Sequence, residues 1–478
     1  MLPQSLERSE FGERLNHLVS PARPIQSIEF LQGRAKELDR IDKALFAAGR
    51  HIFIYGDRGV GKSSLAAAAA NQCQSSDAPY IDVSCGPDST LSSVVANIAY
   101  QAMNASRLRK TKTTVGASVE YRFLKLNATR EITANDLHSE LRTLTDAVDV
   151  LREAAALHSD RPIVVLDEFD RIADKQQAHL FADLIKQLGD KKVDVTFFFT
   201  GVGNTIDDLL GAHRSAIRQL ETIELPKLSW DARWDIAKHA ARAFGVEIDE
   251  QVCVRIAAVS DGYPYYVHLI TEKLLWRAWE HQSIVSHMGR ELYQLALRDA
   301  IDSINAELKQ PYGMAVNQRT EDFEEVLWAS ADSDYLDRSL KQIYSSYEYI
   351  MQQRRPLGRK PLGYDGFTSI VRRLKGRGCG AVLANTVCNN ASKKGWVSYR
   401  EPLLRGYVRM QAEAHNIELI GEREEAPRQI MHAPSSATRG YRGPSVPKGI
   451  HFGRDRHGRT SESDDPEVEA SDSDGPAQ

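Results

Sequence analysis

Residues 51 to 63 read His-Ile-Phe-Ile-Tyr-Gly-Asp-Arg-Gly-Val-Gly-Lys-Ser, a short apolar run that enters a complete G-x-x-x-x-G-K-S pattern from Gly56 to Ser63. No other stretch of the chain limits the possible folds as much. Glycines at these spacings let backbone N–H groups curl around a polyphosphate, a lysine adds a point charge for the outer phosphates, and a hydroxyl at the next position suits magnesium. The alanine-rich segment after it, from Ser64 through Ala70, predicts a helix whose positive end faces the same anion. The residues that cradle the anion are Gly56, Asp57, Arg58, Gly59, Val60, Gly61, Lys62, Ser63 and Ser64. A chance match in a glycine-rich turn does not explain why strand, loop and helix follow in the order the chemistry needs.

About a hundred residues later, Pro162-Ile163-Val164-Val165-Leu166 has the composition of a strand buried on both faces and ends in Asp167-Glu168. Alone, an apolar run followed by two acids is only a strand leaving a core. Paired with the loop at Gly56, it assigns Asp167 with Ser63 to magnesium and Glu168 to polarising the attacking water. Strand candidates at His51–Tyr55, Tyr80–Val83, Ile163–Leu166, Val195–Thr200 and Thr222–Leu225, with helical stretches between, predict a parallel sheet covered on both faces. An alternating stretch within 113–132 breaks this rhythm and reads as an inserted hairpin, either decoration or a contact surface.

The chain has 478 residues, 42% hydrophobic and 26% charged, which is enough for two or three domains with their own cores. No basic start followed by an apolar stretch and no apolar run of membrane-spanning length is present, so a cytoplasmic protein with no membrane partner is expected. The five cysteines form no Cys-x-x-Cys pair and have no histidine at zinc spacing, which leaves them as reduced thiols.

Phe30 to Arg34, the loop at Gly56, and Leu-Asp-Glu-Phe-Asp-Arg from Leu166 to Arg171 together resemble AAA+ P-loop ATPases, above all the origin-recognition and the STAND signalling ATPases. The resemblance implies ATP and Mg2+ as ligands and ATP hydrolysis as the reaction. It places Gly33 and Arg34 near the adenine and a polar sensor at Thr200, with Asn204 as the less well aligned choice. It places an arginine finger, donated to a neighbouring subunit, at Arg218, with Arg214 second. In this resemblance Gly262 and Pro264 of Asp-Gly-Tyr-Pro-Tyr match the STAND switch that lies against the nucleotide. Tyr265 stands where origin-recognition ATPases carry an arginine, which implies slow or partner-stimulated turnover. Read without the family, Gly-x-Pro is also an ordinary way to start a helix.

The expected organisation is a flexible arm at 1–27, the ATPase core at 28–226, a helical lid at 227–310, a winged-helix domain at 320–415 and a disordered acidic tail at 425–478. The last eighteen residues hold seven acids and no base, a composition that solubilises or competes with nucleic acid. Between 351 and 410 there are thirteen basic residues against two acidic ones, hidden by a whole-chain net charge of −4. Arg372, Arg373, Lys375, Arg377, Lys393 and Lys394, with Tyr364, Phe367 and Trp396 among them, form the candidate surface for duplex DNA. The other reading of that charge is a solvated face balanced by acids elsewhere in the fold.

Two outputs fit these features: a nucleotide-dependent oligomer working on DNA, and a nucleotide-driven signalling switch acting on a separate effector protein. A kinase using the same cradle would need an acceptor pocket, of which the lid and C-terminal region show no sign.

Overall fold

The computed structural model describes residues 6–110, 134–203, 218–281, 283–354, 358, 360–388 and 391–419. The hairpin expected within 113–132, the alternatives Asn204 and Arg214, and the tail from 425 lie outside the described residues.

Strands β1 (His51–Tyr55), β2 (Ile81–Ser84), β3 (Ile163–Asp167), β4 (Thr196–Gly201) and β5 (Leu220–Glu224) form one parallel sheet in the order β2-β3-β4-β1-β5. Its inner strands β3, β4 and β1 are largely apolar because both faces are covered, while the edge strands β2 and β5 mix apolar and polar residues. Ile52, Ile54 and Phe198 turn to one core, shared with α2 (Ala35–Leu45) and α3 (Lys62–Cys73). Phe53, Phe197 and Phe199 turn to the other, closed by α4 (Leu91–Lys110), α5 (Ala134–Glu140), α6 (Leu144–His158) and α7 (Lys175–Asp190). Strand β4 separates β1 from β3, so the loop after β1 and the acids ending β3 face each other across the end of a central strand.

The N-terminal segment is not a loose arm. Residues Arg8–Leu18 form helix α1, and Phe11, Leu15 and Val19 repeat every fourth residue to make an apolar stripe that is fully buried. Phe11 packs its ring 4.9 Å from Phe244, 4.8 Å from Trp276 and 5.4 Å from Trp279. The expectation of an arm at 1–27 fails because three apolar side chains on a short polar helix suffice when aromatic partners are waiting on another part of the chain.

Helices α8 (Trp230–Ala243), α9 (Glu250–Val259), α10 (Pro264–Trp279) and α11 (Arg290–Ser303), with the two-residue strands β6 (Glu247–Ile248) and β7 (His287–Met288), follow the sheet. Helix α12 (Ala306–Val316) leads to α13 (Asp322–Ala331), β8 (Arg338–Ser339), α14 (Leu340–Arg354), α15 (Tyr364–Leu374) and an antiparallel hairpin of β9 (Leu383–Cys388) and β10 (Ala391–Tyr399). β10 also pairs with β8. The last helix, α16 (Leu404–Ala414), turns back to pack on α9, α11 and α13, so a single apolar core runs from the sheet's covering helices into the C-terminal unit.

That return is held by ions rather than by hydrocarbon alone. Asp261, 3% exposed, accepts two hydrogen bonds from Arg405, at 2.7 and 2.6 Å, and one from Lys227 at 3.0 Å; Arg409 lies 3.3 Å away. Burial works against this carboxylate, but the charges of Arg409, Arg405 and Lys227 prevail and hold its pKa down to about 2. Arg405 and Arg409, counted with the basic region on sequence, are therefore interior residues. Arg354 is also spoken for, by Glu321 and by the buried Glu325.

Asp261→Asn or Arg405→Ala leaves a buried charge without its partner, and either is expected to cost roughly 3–5 kcal/mol in urea unfolding. Because the folded pKa of Asp261 is depressed, its share of stability is complete above the ordinary carboxylate range. It is lost as pH falls from about 4 through about 2, and an acid titration of wild type against Asp261→Asn reads that difference.

Candidate functional site

The carboxyl ends of β1, β3 and β4 open into a cavity of about 740 Å³. β1 stops at Tyr55 because the chain must turn sharply at Gly56, where an added Cβ would lie 2.5 Å from the Leu225 carbonyl oxygen. Only glycine fits so close to backbone. The loop closes at Gly61, left-handed at φ 99°, from which α3 starts at Lys62, earlier than the expected Ser64. The unpaired N–H groups of this helix and its positive end are thereby aimed into the cavity. Lys62 folds over the loop and donates from Nζ to the carbonyls of Gly56 (3.0 Å) and Asp57 (2.8 Å). Burial lowers its pKa, partly offset by Asp170, Asp167 and Asp57.

Asp167, at the end of β3, gathers donors on one oxygen. Its Oδ1 accepts from the Ser63 hydroxyl at 2.9 Å, from the Thr200 hydroxyl of β4, and from the backbone N–H of Glu168 at 3.1 Å. The Glu168 N–H also reaches Thr200 Oγ1 at 3.1 Å. Glu168 takes the left-handed conformation, φ 54°, which turns its side chain off the strand line. Its carboxylate is held at 2.6 Å by Arg171, whose own pKa is raised by that hydrogen bond and charge. A serine hydroxyl beside an aspartate carboxylate is a hard-oxygen pair of the kind magnesium prefers.

The walls come from distant parts of the chain. Arg34, 3% exposed, donates to the Val60 carbonyl at 2.9 Å, and Gly33 lies so close to α8 that a Cβ would strike Ala232. The strap after α1 crosses the opening, where the Ile25 N–H donates to Ser64 Oγ at 3.1 Å. Pro264 opens α10 against the phosphate loop, its Cγ 3.7 Å from where a Gly61 Cβ would be, with Tyr265 also on the lining. Gly262, at φ 79°, makes the turn before it. Leu403, just ahead of α16, reaches the same loop at Gly59, 3.0 Å from a built Cβ.

The fold thus brings together Lys62, Ser63, Asp167, Glu168, Thr200, Arg34 and Pro264. Arg218 is exposed ahead of β5 and does not line the cavity of its own chain. The basic set is remote from it. Arg372, Arg373 and Arg377 are exposed on and just after α15, and Lys375 donates to Asn385 of β9 at 2.6 Å. Lys393 stacks on Trp396, and Lys394 is exposed beside it. Phe367, expected on this surface, is instead fully buried under α15. Sequence reasoning missed Arg171, His268 and Leu403 on the cavity wall. Arg171 was visible as the third residue after Glu168; nothing local marks the other two.

Residues 31–197 match the model of the AAA ATPase domain. This stretch is an AAA+ P-loop ATPase domain, and the chain is an ATPase with an ATP-binding site. Among solved structures it is similar to the Walker-type ATPase PABY2304 of Pyrococcus abyssi, at 16% identity over 81% of this chain and 99% of that one, TM-score 0.47. It is similar to Cdc6p of Pyrobaculum aerophilum, at 15% identity over 84% and 98%, TM-score 0.40. It is also similar to the Aeropyrum pernix Orc1 protein, solved in complex with DNA, at 15% identity over 80% and 92%, TM-score 0.38. Comparison with curated proteins finds no match.

Gly56→Ala is expected to push the loop off Leu225 and weaken ATP binding roughly tenfold or more, with the circular dichroism spectrum unchanged; calorimetric titration checks it.

Proposed function

We propose that the chain binds ATP with Mg2+, hydrolyses it to ADP and phosphate, and couples nucleotide state to self-assembly and to duplex DNA. The observation that carries the catalytic part is the convergence of Lys62, Ser63, Asp167, Glu168 and Thr200 at three adjacent strand ends. The loop backbone and Lys62 bind the phosphates, since charged oxygens outcompete the two carbonyls that Lys62 now contacts. Ser63 and Asp167 would hold Mg2+, which would supply positive charge to offset that of the phosphates. Thr200 keeps Asp167 oriented. Glu168 orients the attacking water once it is released from Arg171, a requirement consistent with slow or stimulated turnover. Arg218, exposed and away from its own cavity, is suited to act on a neighbouring subunit.

Support for DNA contact comes from the arrangement of helices α13, α14 and α15 with the β9–β10 hairpin, which we read as a winged helix. The end of α15 and the hairpin present Arg372, Arg373, Arg377, Lys393 and Lys394 to solvent. The surface is smaller than the sequence count suggested, because Arg405 and Arg409 are interior. A cytoplasmic location goes with this reading; among the described residues no helix is long and apolar enough to cross a membrane.

A second reading, a signalling switch acting on a separate effector protein, is favoured by the contacts of Pro264 and Leu403 with the phosphate loop. A loop reshaped by nucleotide would press directly on both the lid and the C-terminal unit.

Phosphate release measured against protein concentration, with and without duplex DNA, tests the proposal. Turnover should rise with concentration and with DNA, and fall at least about a hundredfold in Glu168→Gln with ATP binding kept. Arg218→Ala should abolish the concentration-dependent part. ATP-dependent assembly indifferent to DNA would select the switch reading instead. In DNA titrations, replacing both Arg372 and Arg373 by Ala should lower the slope of log affinity against log salt by about 2.

A further inference from the structure

His268 lies on α10 one helical turn beyond Pro264 and lines the cavity. Its side chain is 3% exposed, and neither ring nitrogen has a hydrogen-bond partner. Burial drops its pKa to about 4, so near neutral pH the imidazole is uncharged, with one donor and one acceptor. Buried polar atoms without partners are rare because each forfeits its hydrogen bonds to water, and an orphan on the wall of a ligand cavity points to the ligand as its partner. The nitrogens are themselves covered, so a ligand meets them when the ring swings toward the cavity it lines.

The position along the helix says which part of the ligand that is. Pro264 meets the phosphate loop at Gly61 at the start of the helix, and His268 lies one turn, about 5.4 Å, further along it. The lining also includes Pro24, Phe30, Leu228 and Ile236, apolar surfaces suited to the faces of a flat heterocycle. Such walls provide area but no hydrogen bonds. The imidazole provides those, and a neutral ring can present either a donor or an acceptor to the edge of a base.

We propose that His268 is a nucleobase-binding residue, whose ring hydrogen-bonds the polar edge of the purine of bound ATP. The inference rests on the reading of this cavity as the ATP site. It also explains why so costly a side chain persists where a phenylalanine or leucine would fill the same space.

Calorimetric titration of the full chain with ATP and with inorganic tripolyphosphate, which has no base, tests it. His268→Phe should weaken ATP binding roughly tenfold while tripolyphosphate binding stays within about twofold. His268→Gln, which keeps a donor and an acceptor, should retain most of the ATP affinity. The ligand-free His268→Phe protein should unfold at higher urea than wild type, since the unmet polar atoms are gone. His268→Leu repeats the measurement should the larger ring fail to pack. Equal losses for ATP and tripolyphosphate, or no loss for either, overturn the proposal. If wild type binds neither ligand, or Lys62→Ala binds ATP as wild type does, the ATP-site reading has failed and this inference falls with it.

Discussion

Asp261 is a carboxylate almost without water, surrounded by Arg405, Arg409 and Lys227. Removing four charged groups from solvent is expensive, and the arrangement holds only because the arginine N–H groups are also used. Arg405 donates to the carbonyls of Asp334 and Tyr335, and Arg409 to those of Ala258, Ala331 and Ser333. Apolar packing tolerates small slips, whereas a bidentate ion pair whose arginines also donate to backbone carbonyls does not. The cluster therefore sets one geometry for three pieces of chain: the end of α9, the start of α16, and the turn between α13 and β8.

The nucleotide end of the molecule inherits that geometry. The turn that Asp261 begins continues through Gly262, whose carbonyl accepts from the Leu228 N–H, to Pro264 against the phosphate loop. From Arg405 the chain goes back two residues to Leu403, which meets the same loop, and the Leu403 carbonyl accepts from Tyr266 of α10 at 2.7 Å. Helix α10 and the segment ahead of α16 thus reach the loop from one fixed junction. Only short stretches of chain separate the loop from the junction, and the second reading of function draws on that short link.

Stability and site chemistry pull against each other in two places on the cavity wall. Glu168 is held in a left-handed conformation by its N–H bonds to Asp167 and Thr200, with its half-exposed carboxylate bound to Arg171. His268 keeps two unmet nitrogens where a hydrocarbon would be more stable. Departures from local preference of this kind concentrate where a fold is built for a ligand rather than for its own packing.

Sequence alone determined the five strands, the phosphate loop and the acids at the end of β3, because each rests on local physics: apolar runs buried on both faces, glycines where backbone crowds backbone, a helix following at once. Thr200 came instead from the family resemblance, which placed a polar sensor on that strand. Helix α1 carried a readable stripe at Phe11, Leu15 and Val19, but its worth depended on Trp276 and Trp279, more than two hundred residues away. The basic count between 351 and 410 misled for a related reason, since charge in sequence does not say which arginines face water. Only the tertiary structure sent Arg405 and Arg409 inward to Asp261, brought Leu403 to Gly59, and set His268 on the cavity wall. Those decisions are made by partners that no local pattern contains, and they exist only once the last helix has folded back against α9, α11 and α13.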